Sequence, residues 1–121
     1  GERGEKADLS PLTRSSRYWH AFARRIRQRI EWQGMAPFDV WCARPDDVIY
    51  GKLLAWNEGR SRKHESDIYD MLVFHYLEID PTLAAIFDEA YLDAQARALG
   101  PDVAQFWESV KAAARKDAAR E

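Results

Sequence analysis

Lys52 and Asp67 are the pair of residues best placed to do chemistry in this sequence. They lie nearly symmetrically about a short linker that runs from Gly59 to Arg62. If the segments on either side are helices that fold back antiparallel, the ammonium and the carboxylate lie at a similar height and face one crevice. Because lysine is a compact point charge that suits phosphate, this hypothesis makes the pair a candidate nucleotide or phosphate site.

Each of the two residues also has a purely structural interpretation. Lys52 can run along an apolar helix stripe and place its ammonium in water. Asp67 can pair locally with Lys63, four residues earlier, an interaction that stabilises a helix by only about 0.2–0.5 kcal/mol. The sequence leaves both interpretations open.

The basic turn between the two segments is a second candidate for anion binding. Arg60, Arg62 and the two residues that follow are all basic or imidazole side chains, and a short loop can present several donors to one anion. We therefore add Arg60 and Arg62 to Lys52 and Asp67 as candidate nucleotide- or phosphate-binding residues. The alternative is an ordinary solvated turn.

The sequence contains clear start and spacing signals for the two helices that carry Lys52 and Asp67. Pro45 fits the first position of a helix, and two aspartates follow it on the first turn, where the helix dipole favours negative charge. Apolar residues then recur at helical spacing and predict a helix over 45–59. Beyond the linker, the spacing of Ile68, Met71 and Leu72 predicts a second helix.

This stretch resembles a known family. The residues that carry the resemblance, within roughly 26–77, are Pro45, Asp46, Asp47, Val48, Ile49, Lys52, Leu53, Arg60, Asp67, Ile68 and Leu72. Together they resemble the C-terminal region of small bacterial nucleotidyltransferase-like proteins of the minimal and AbiEii types, several of which occur in toxin–antitoxin systems. The resemblance implies part of a nucleotidyltransferase-like fold and a phosphate-facing role for Lys52.

The catalytic signature of that family does not occur in these 121 residues. The signature is a Gly-Ser followed by two aspartates one residue apart, and its acidic pair holds the metal ions of nucleotidyl transfer. Adjacent Asp46 and Asp47 diverge around a helix and do not replace it. We therefore assign no catalytic residue and no metal ligand. We expect a reduced or truncated family member, or one portion of an active site completed elsewhere, and Mg²⁺ with nucleotide only in that second case.

A group of arginines ahead of this region suggests a different function. The candidates for nucleic-acid contact are Arg24, Arg25, Arg27 and Arg29. From residue 25 onward, charged positions alternate with more apolar ones, which predicts a strand with one wet face. Such a stripe can follow a phosphate backbone. The favoured alternative is a charged outer face that protects an edge strand from pairing.

The predicted fold class is α+β and predominantly helical. A small antiparallel sheet of two strands, at about 25–33 and 37–42, accompanies four to five helices, of which one begins at Asp80 and Pro81 and ends at Gly100. A two-stranded hairpin is marginal alone, and an open strand edge can pair with a second copy. We therefore expect a homodimer, a larger homo-oligomer or a partner chain at the sheet edge.

We predict a flexible N-terminal arm over 1–13, a single domain over 14–111 and a frayed helical tail over 112–121. The tail is rich in alanine and charge, so it forms a helix readily but offers no apolar stripe to bury. This pattern predicts that packing stops near Lys111.

Composition excludes several classes of protein. Apolar content of 46% is too high for a disordered chain, and a net charge of −2 gives no general attraction to nucleic acid or membrane. No apolar run approaches the roughly 20 residues of a membrane-spanning helix. Because the single cysteine, Cys42, cannot form an internal disulfide, we expect a reducing compartment and a cytoplasmic location.

Overall fold

The computed structural model describes residues 16–31 and 33–120, with the backbone alone described for residues 16–19. The predicted arm over 1–13 lies outside the described residues. The chain divides between Arg44 and Pro45 into two compact units. The single domain over 14–111 stays a prediction. Each unit is described by itself.

The first unit contains a helix followed by a hairpin. Helix α1 spans Ser16–Ala23, strand β1 spans Ile26–Ile30 and strand β2 spans Phe38–Cys42. The two strands pair antiparallel. The hairpin predicted over 25–33 and 37–42 is therefore confirmed, with strands that are shorter than predicted at their ends.

The second unit is helical. It contains α2 (Pro45–Gly59), α3 (Arg62–Tyr76), α4 (Pro81–Ile86), α5 (Glu89–Leu99) and α6 (Pro101–Ala118). Helix α3 packs against α2 and α6, and α5 packs against the same two helices. The buried apolar core is formed by Ile49, Leu53, Trp56, Ile68, Leu72, Leu92, Ala96, Val103, Trp107, Val110 and Ala114. A predominantly helical α+β fold is thus confirmed.

The described residues form six helices rather than four to five, because the helix predicted from Pro81 to Gly100 is split in two. Phe87 adopts an extended conformation with ψ 126° and ends α4. Asp88 then begins α5, since its carboxylate accepts a hydrogen bond from the Tyr91 backbone N–H at 3.0 Å. A short acidic residue can cap a new helix wherever the chain turns, and this local cap outweighed the continuous apolar spacing.

Helix α6 extends well past Lys111. Ala114 is fully buried, and the Asp117 carboxylate accepts a hydrogen bond from the Tyr69 hydroxyl of α3. The boundary predicted at residue 111 therefore lies inside a continuous packed helix. Ala114 alone among the alanines of 112–119 is buried, so one small side chain is packed here, where the prediction required a stripe of larger apolar residues.

Candidate phosphate-contacting site between helices α2 and α3

A tight turn folds α3 back along α2. Arg60 adopts a left-handed conformation with φ 55°, and Ser61 caps α3 by accepting a hydrogen bond from the Lys63 backbone N–H at 3.1 Å. One helical turn back from the linker, Trp56 Nε1 donates to Glu65 Oε2 at 2.9 Å. This bond joins the two antiparallel helices close to the turn.

Lys52 and Asp67 meet one turn further from the linker. Lys52 Nζ lies 3.1 Å from Asp67 Oδ2, and Lys63 Nζ lies 3.2 Å from the same oxygen. The side chains of Lys52 and Asp67 are 29% and 28% exposed, whereas that of Lys63 is 78% exposed. The predicted pairing of Lys52 with Asp67 is confirmed, and the local pair with Lys63 exists beside it. A role in nucleotide binding stays a prediction.

The two ammonium groups keep the carboxylate ionised. Hydrogen bonds from Lys52 and then Lys63 hold the pKa of Asp67 below its ordinary value of 3.8. An ammonium has three N–H donors, so Lys52 can donate to Asp67 and still offer hydrogens to an incoming anion. The carboxylate therefore orients the Lys52 ammonium between α2 and α3 and leaves some of its N–H groups available for a ligand.

Arg60 and Arg62 are not gathered at this pair. The Arg60 guanidinium lies over the Trp56 ring, 4.3 Å from its centroid, and 3.7 Å from the Asp102 carboxylate of α6. Arg62 lines a shallow groove between α3 and α6 with Tyr69 and Phe106. Both side chains therefore lie toward α6, whereas Lys52 lies between α2 and α3.

The described residues do not fit Mg²⁺. Among them, no cluster of three or more histidine, cysteine, aspartate or glutamate side chains could hold a metal ion. Asp67 already accepts hydrogen bonds from two ammonium groups, and Asp70 is the only other acidic residue on its helix face at the spacing of one turn.

A second polar cluster, in the core between α5 and α6, was not predicted from the sequence. Lys111 is only 3% exposed, and its Nζ lies 2.7 Å from Asp93 Oδ1 and 3.0 Å from Glu108 Oε2. Trp107 Nε1 donates to the same Asp93 oxygen at 2.7 Å. The helical spacing of Trp107 and Lys111 was a signal that the lysine faces inward.

The charges of this cluster are mutually satisfied. Burial alone lowers the pKa of Lys111, but hydrogen bonds with Asp93 and Glu108 outweigh it and raise that pKa above the ordinary value. Burial likewise opposes ionisation of Asp93, and hydrogen bonds from Lys111 and Trp107 still lower its pKa. Glu89 Oε2 lies 3.5 Å from the same ammonium, so the three N–H donors of this buried lysine face three carboxylates and the cluster is a structural one.

The arginines of the first unit are partly neutralised within their own hairpin. Arg27 and Arg29 lie 3.6 and 3.5 Å from the Asp39 carboxylate. The Arg25 guanidinium stacks on the rings of Phe22 and Trp41, at 3.9 and 4.6 Å from their centroids.

Arg24 Nη1 lies 3.0 Å from His20 Nε2. This contact lies at the end of α1, ahead of the hairpin. Nucleic-acid binding by the four arginines stays a prediction.

Lys52 and Asp67, two of the residues through which the sequence resembles nucleotidyltransferase-like proteins, thus lie opposite each other in the α2–α3 hairpin. The family model described as nucleotidyl transferase AbiEii toxin, type IV TA system, matches residues 7–120. The chain therefore belongs to the AbiEii nucleotidyl transferase toxin family, and the likeness extends well beyond 26–77.

Searches of curated proteins and of solved structures find no match. No helix among the described residues is long and apolar enough to cross a membrane.

Proposed function

We propose that Lys52 and Asp67 form the phosphate-contacting side of a nucleotide site in this member of the AbiEii family. The observation that carries the proposal is the cross-helix pair itself, with Lys52 Nζ 3.1 Å from Asp67 Oδ2 and both side chains about one-quarter exposed. This exposure lets a ligand reach the pair. The partial shielding from water also lowers the local dielectric constant and strengthens the attraction between Lys52 and an anion. Lys63 adds a second ammonium at the same carboxylate.

In this proposal each residue has a distinct role. Lys52 donates to a non-bridging phosphate oxygen, and Asp67 holds the ammonium in position. Lys63, being highly exposed, adds positive charge that compensates for the aspartate. Arg60 and Arg62 lie toward α6, so they are not needed for this contact.

The proposed site does not complete the family reaction alone. The Gly-Ser and paired aspartates of the family signature are absent from residues 1–121, and the described residues do not fit Mg²⁺. We propose that the carboxylates which hold the metal ions are supplied from outside these residues, by another segment or a partner chain. Residues 1–121 then bind and orient phosphate.

The test is calorimetric titration of the full chain with inorganic tripolyphosphate at low salt. Wild-type protein should bind, and Lys52→Met should weaken binding at least tenfold, because a hydrogen bond to a charged group is worth about 1.5–3 kcal/mol. Methionine keeps the apolar stem of the lysine, so packing is retained. The control is Lys116→Met, an exposed lysine near the end of α6, which should leave the Kd unchanged. Absence of wild-type binding, or equal binding by Lys52→Met, would contradict the proposal.

A second proposed property is self-association through the hairpin. Within the described residues the sheet has only two strands, and Trp41 and Phe22 are each 56% exposed in the same unit. Open strand edges and exposed aromatic rings favour pairing with a second copy. We propose a homodimer formed by this unit.

Sedimentation over a range of concentrations tests the dimer. The average mass should rise with concentration, and Trp41→Ser should shift the transition to higher concentration. Ile79→Ser is the matched control, since Ile79 is similarly exposed but lies in the second unit. A chain that remains monomeric at every concentration would rule out the dimer.

A further inference from the structure

An apolar pocket lies between α3 and α4. Its walls include Met71, Phe74, His75, Leu83, Ala84 and Phe87, and its volume is about 290 Å³. Three of these six side chains are aromatic, and the His75 and Phe87 rings already pack together with their centroids 4.0 Å apart. Neither Lys52 nor Asp67 lines this pocket.

The face of α3 that carries Asp67 also lines the pocket. Asp67, Asp70 and Phe74 follow at spacings of three and four residues, so they share one face of α3. At 1.5 Å per residue, Phe74 lies about 10 Å along the axis from Asp67. Because α2 runs antiparallel, its first residue, Pro45, also lines the pocket, while Lys52 lies about two turns further on beside Asp67.

We propose that this pocket receives the base of a nucleotide whose phosphates contact Lys52 and Lys63. The inference rests on the proposed function, which it deepens by assigning a separate base subsite. The order along α3 is then phosphate at Asp67, sugar at Asp70 and base at Phe74. This order and spacing match an extended nucleotide laid along α3, from the Lys52–Asp67 pair to the pocket between α3 and α4.

The size and chemistry of the pocket favour a base as its occupant. Ligand pockets usually span about 300–1,000 Å³, so this one suits a flat ring system rather than an entire nucleotide. Aromatic side chains such as Phe74 stack on bases irrespective of their identity. Burial lowers the pKa of His75, so its ring is neutral near neutral pH and presents a further aromatic surface.

Two carboxylates, those of Asp70 and Asp80, line the pocket and differ in their contacts. Asp80 is committed to capping α4, since it accepts hydrogen bonds from the backbone N–H groups of Thr82 and Leu83 at 3.0 and 3.2 Å. Asp70 is exposed at the rim of the pocket. An ionised carboxylate is an acceptor only, so Asp70 suits the hydroxyl groups of a ribose placed between Lys52 and Phe74.

The experiment compares nucleoside triphosphates with tripolyphosphate on the full chain by calorimetric titration. At least one of ATP, GTP, CTP and UTP should bind ten or more times tighter than tripolyphosphate, because base stacking adds to the phosphate contact. Phe74→Ala removes a half-exposed ring, and Ala84→Phe fills the pocket. Both variants should reduce nucleotide affinity to that of tripolyphosphate and leave tripolyphosphate binding unchanged. Ile79→Ala, an exposed apolar residue that does not line the pocket, should change neither.

The outcomes separate this inference from the proposed function. If tripolyphosphate binds but no nucleotide binds tighter, or if both pocket variants keep full nucleotide affinity, the base subsite is wrong and the phosphate site stands. If neither tripolyphosphate nor any nucleotide binds, both proposals are wrong. Nucleotide binding that survives Lys52→Met but is lost in Phe74→Ala would retain the pocket and overturn the phosphate contact.

Discussion

Lys111 Nζ donates to Asp93 Oδ1 at 2.7 Å and joins α6 to α5 inside the helical core. The lysine side chain is almost completely buried, yet its neighbours satisfy its charge. Trp107 donates to the same carboxylate, so one aspartate holds two large side chains of α6 in place.

Replacing this lysine should be strongly destabilising. Lys111→Met keeps much of the side-chain volume but leaves Asp93 and Glu108 without their shared cation. Because these two side chains are 28% and 64% exposed, water partly solvates them, and the loss should be about 1–3 kcal/mol. Chemical denaturation followed by circular dichroism measures the loss in the free energy of unfolding. Lys116→Met, at an exposed position of the same helix, should change it by no more than roughly 0.5 kcal/mol. Equal effects of the two substitutions would contradict the structural role of Lys111.

Asp67 should make the free energy of unfolding decrease at acidic pH. Its pKa is lowered by Lys52 and Lys63 in the folded state, so its contribution to stability is present above its unfolded pKa and is lost as the pH falls through the folded value. Asp67→Asn should therefore be less stable than wild type at pH 7. The difference should shrink as the pH falls below 3.8, the ordinary value for the group.

Thermal unfolding at a series of pH values measures this dependence. Asp70→Asn is the matched comparison, because Asp70 is an exposed residue on the same helix face and makes no salt bridge to Lys52 or Lys63 within the described residues. If the deficit of Asp67→Asn stays constant from pH 7 into strong acid, the ion pair does not stabilise the folded chain.

The α2–α3 hairpin was predictable because its signals are local. A proline start, an apolar stripe and a glycine near the linker defined α2 over Pro45–Gly59, and the symmetry of Lys52 and Asp67 about the linker then placed them opposite each other. Because each helix rises 1.5 Å per residue, two residues at the same sequence distance from the turn lie at the same height along the paired helices. The pairing therefore needed no tertiary information beyond the direction of the second helix.

The pocket and the buried Lys111 cluster were not predictable in the same way. The helical spacing of Trp107 and Lys111 indicates that the lysine faces inward. Its partners on α5, Glu89 and Asp93, are 18 or more positions away in the sequence, and no local signal identifies them. The pocket depends on the break at Phe87 that separates α4 from α5. A continuous helix, as predicted, would have carried Leu83 and Ala84 in a different direction.

The C-terminal part of α6 should prove to be packed. Ala114 is fully buried, whereas its neighbour Ala113 is exposed. Ala114→Leu should therefore destabilise the chain by about 1–3 kcal/mol through overpacking, while Ala113→Leu should be nearly neutral. Urea denaturation of the two variants measures the difference. If both alanines tolerate leucine equally, the end of α6 does not pack on its neighbours.

Trp56 makes both a core contact with α6 and a hydrogen bond to α3. Its ring stacks on Phe106 with centroids 4.1 Å apart, and its Nε1 donates to Glu65 at 2.9 Å. Trp56→Phe keeps an aromatic ring but loses the donor, so it should cost about 1–3 kcal/mol of unfolding free energy. Glu65→Gln keeps an acceptor oxygen and should cost less than Glu65→Ala.

The two Glu65 variants distinguish the hydrogen bond from general packing. If the bond sets the register, Glu65→Gln should also preserve tripolyphosphate binding at Lys52, because the two helices keep Lys52 opposite Asp67. Glu65→Ala should weaken that binding although the alanine does not touch the site. Equal tripolyphosphate affinity in all three proteins would show that the turn and the core set the register without Trp56 and Glu65.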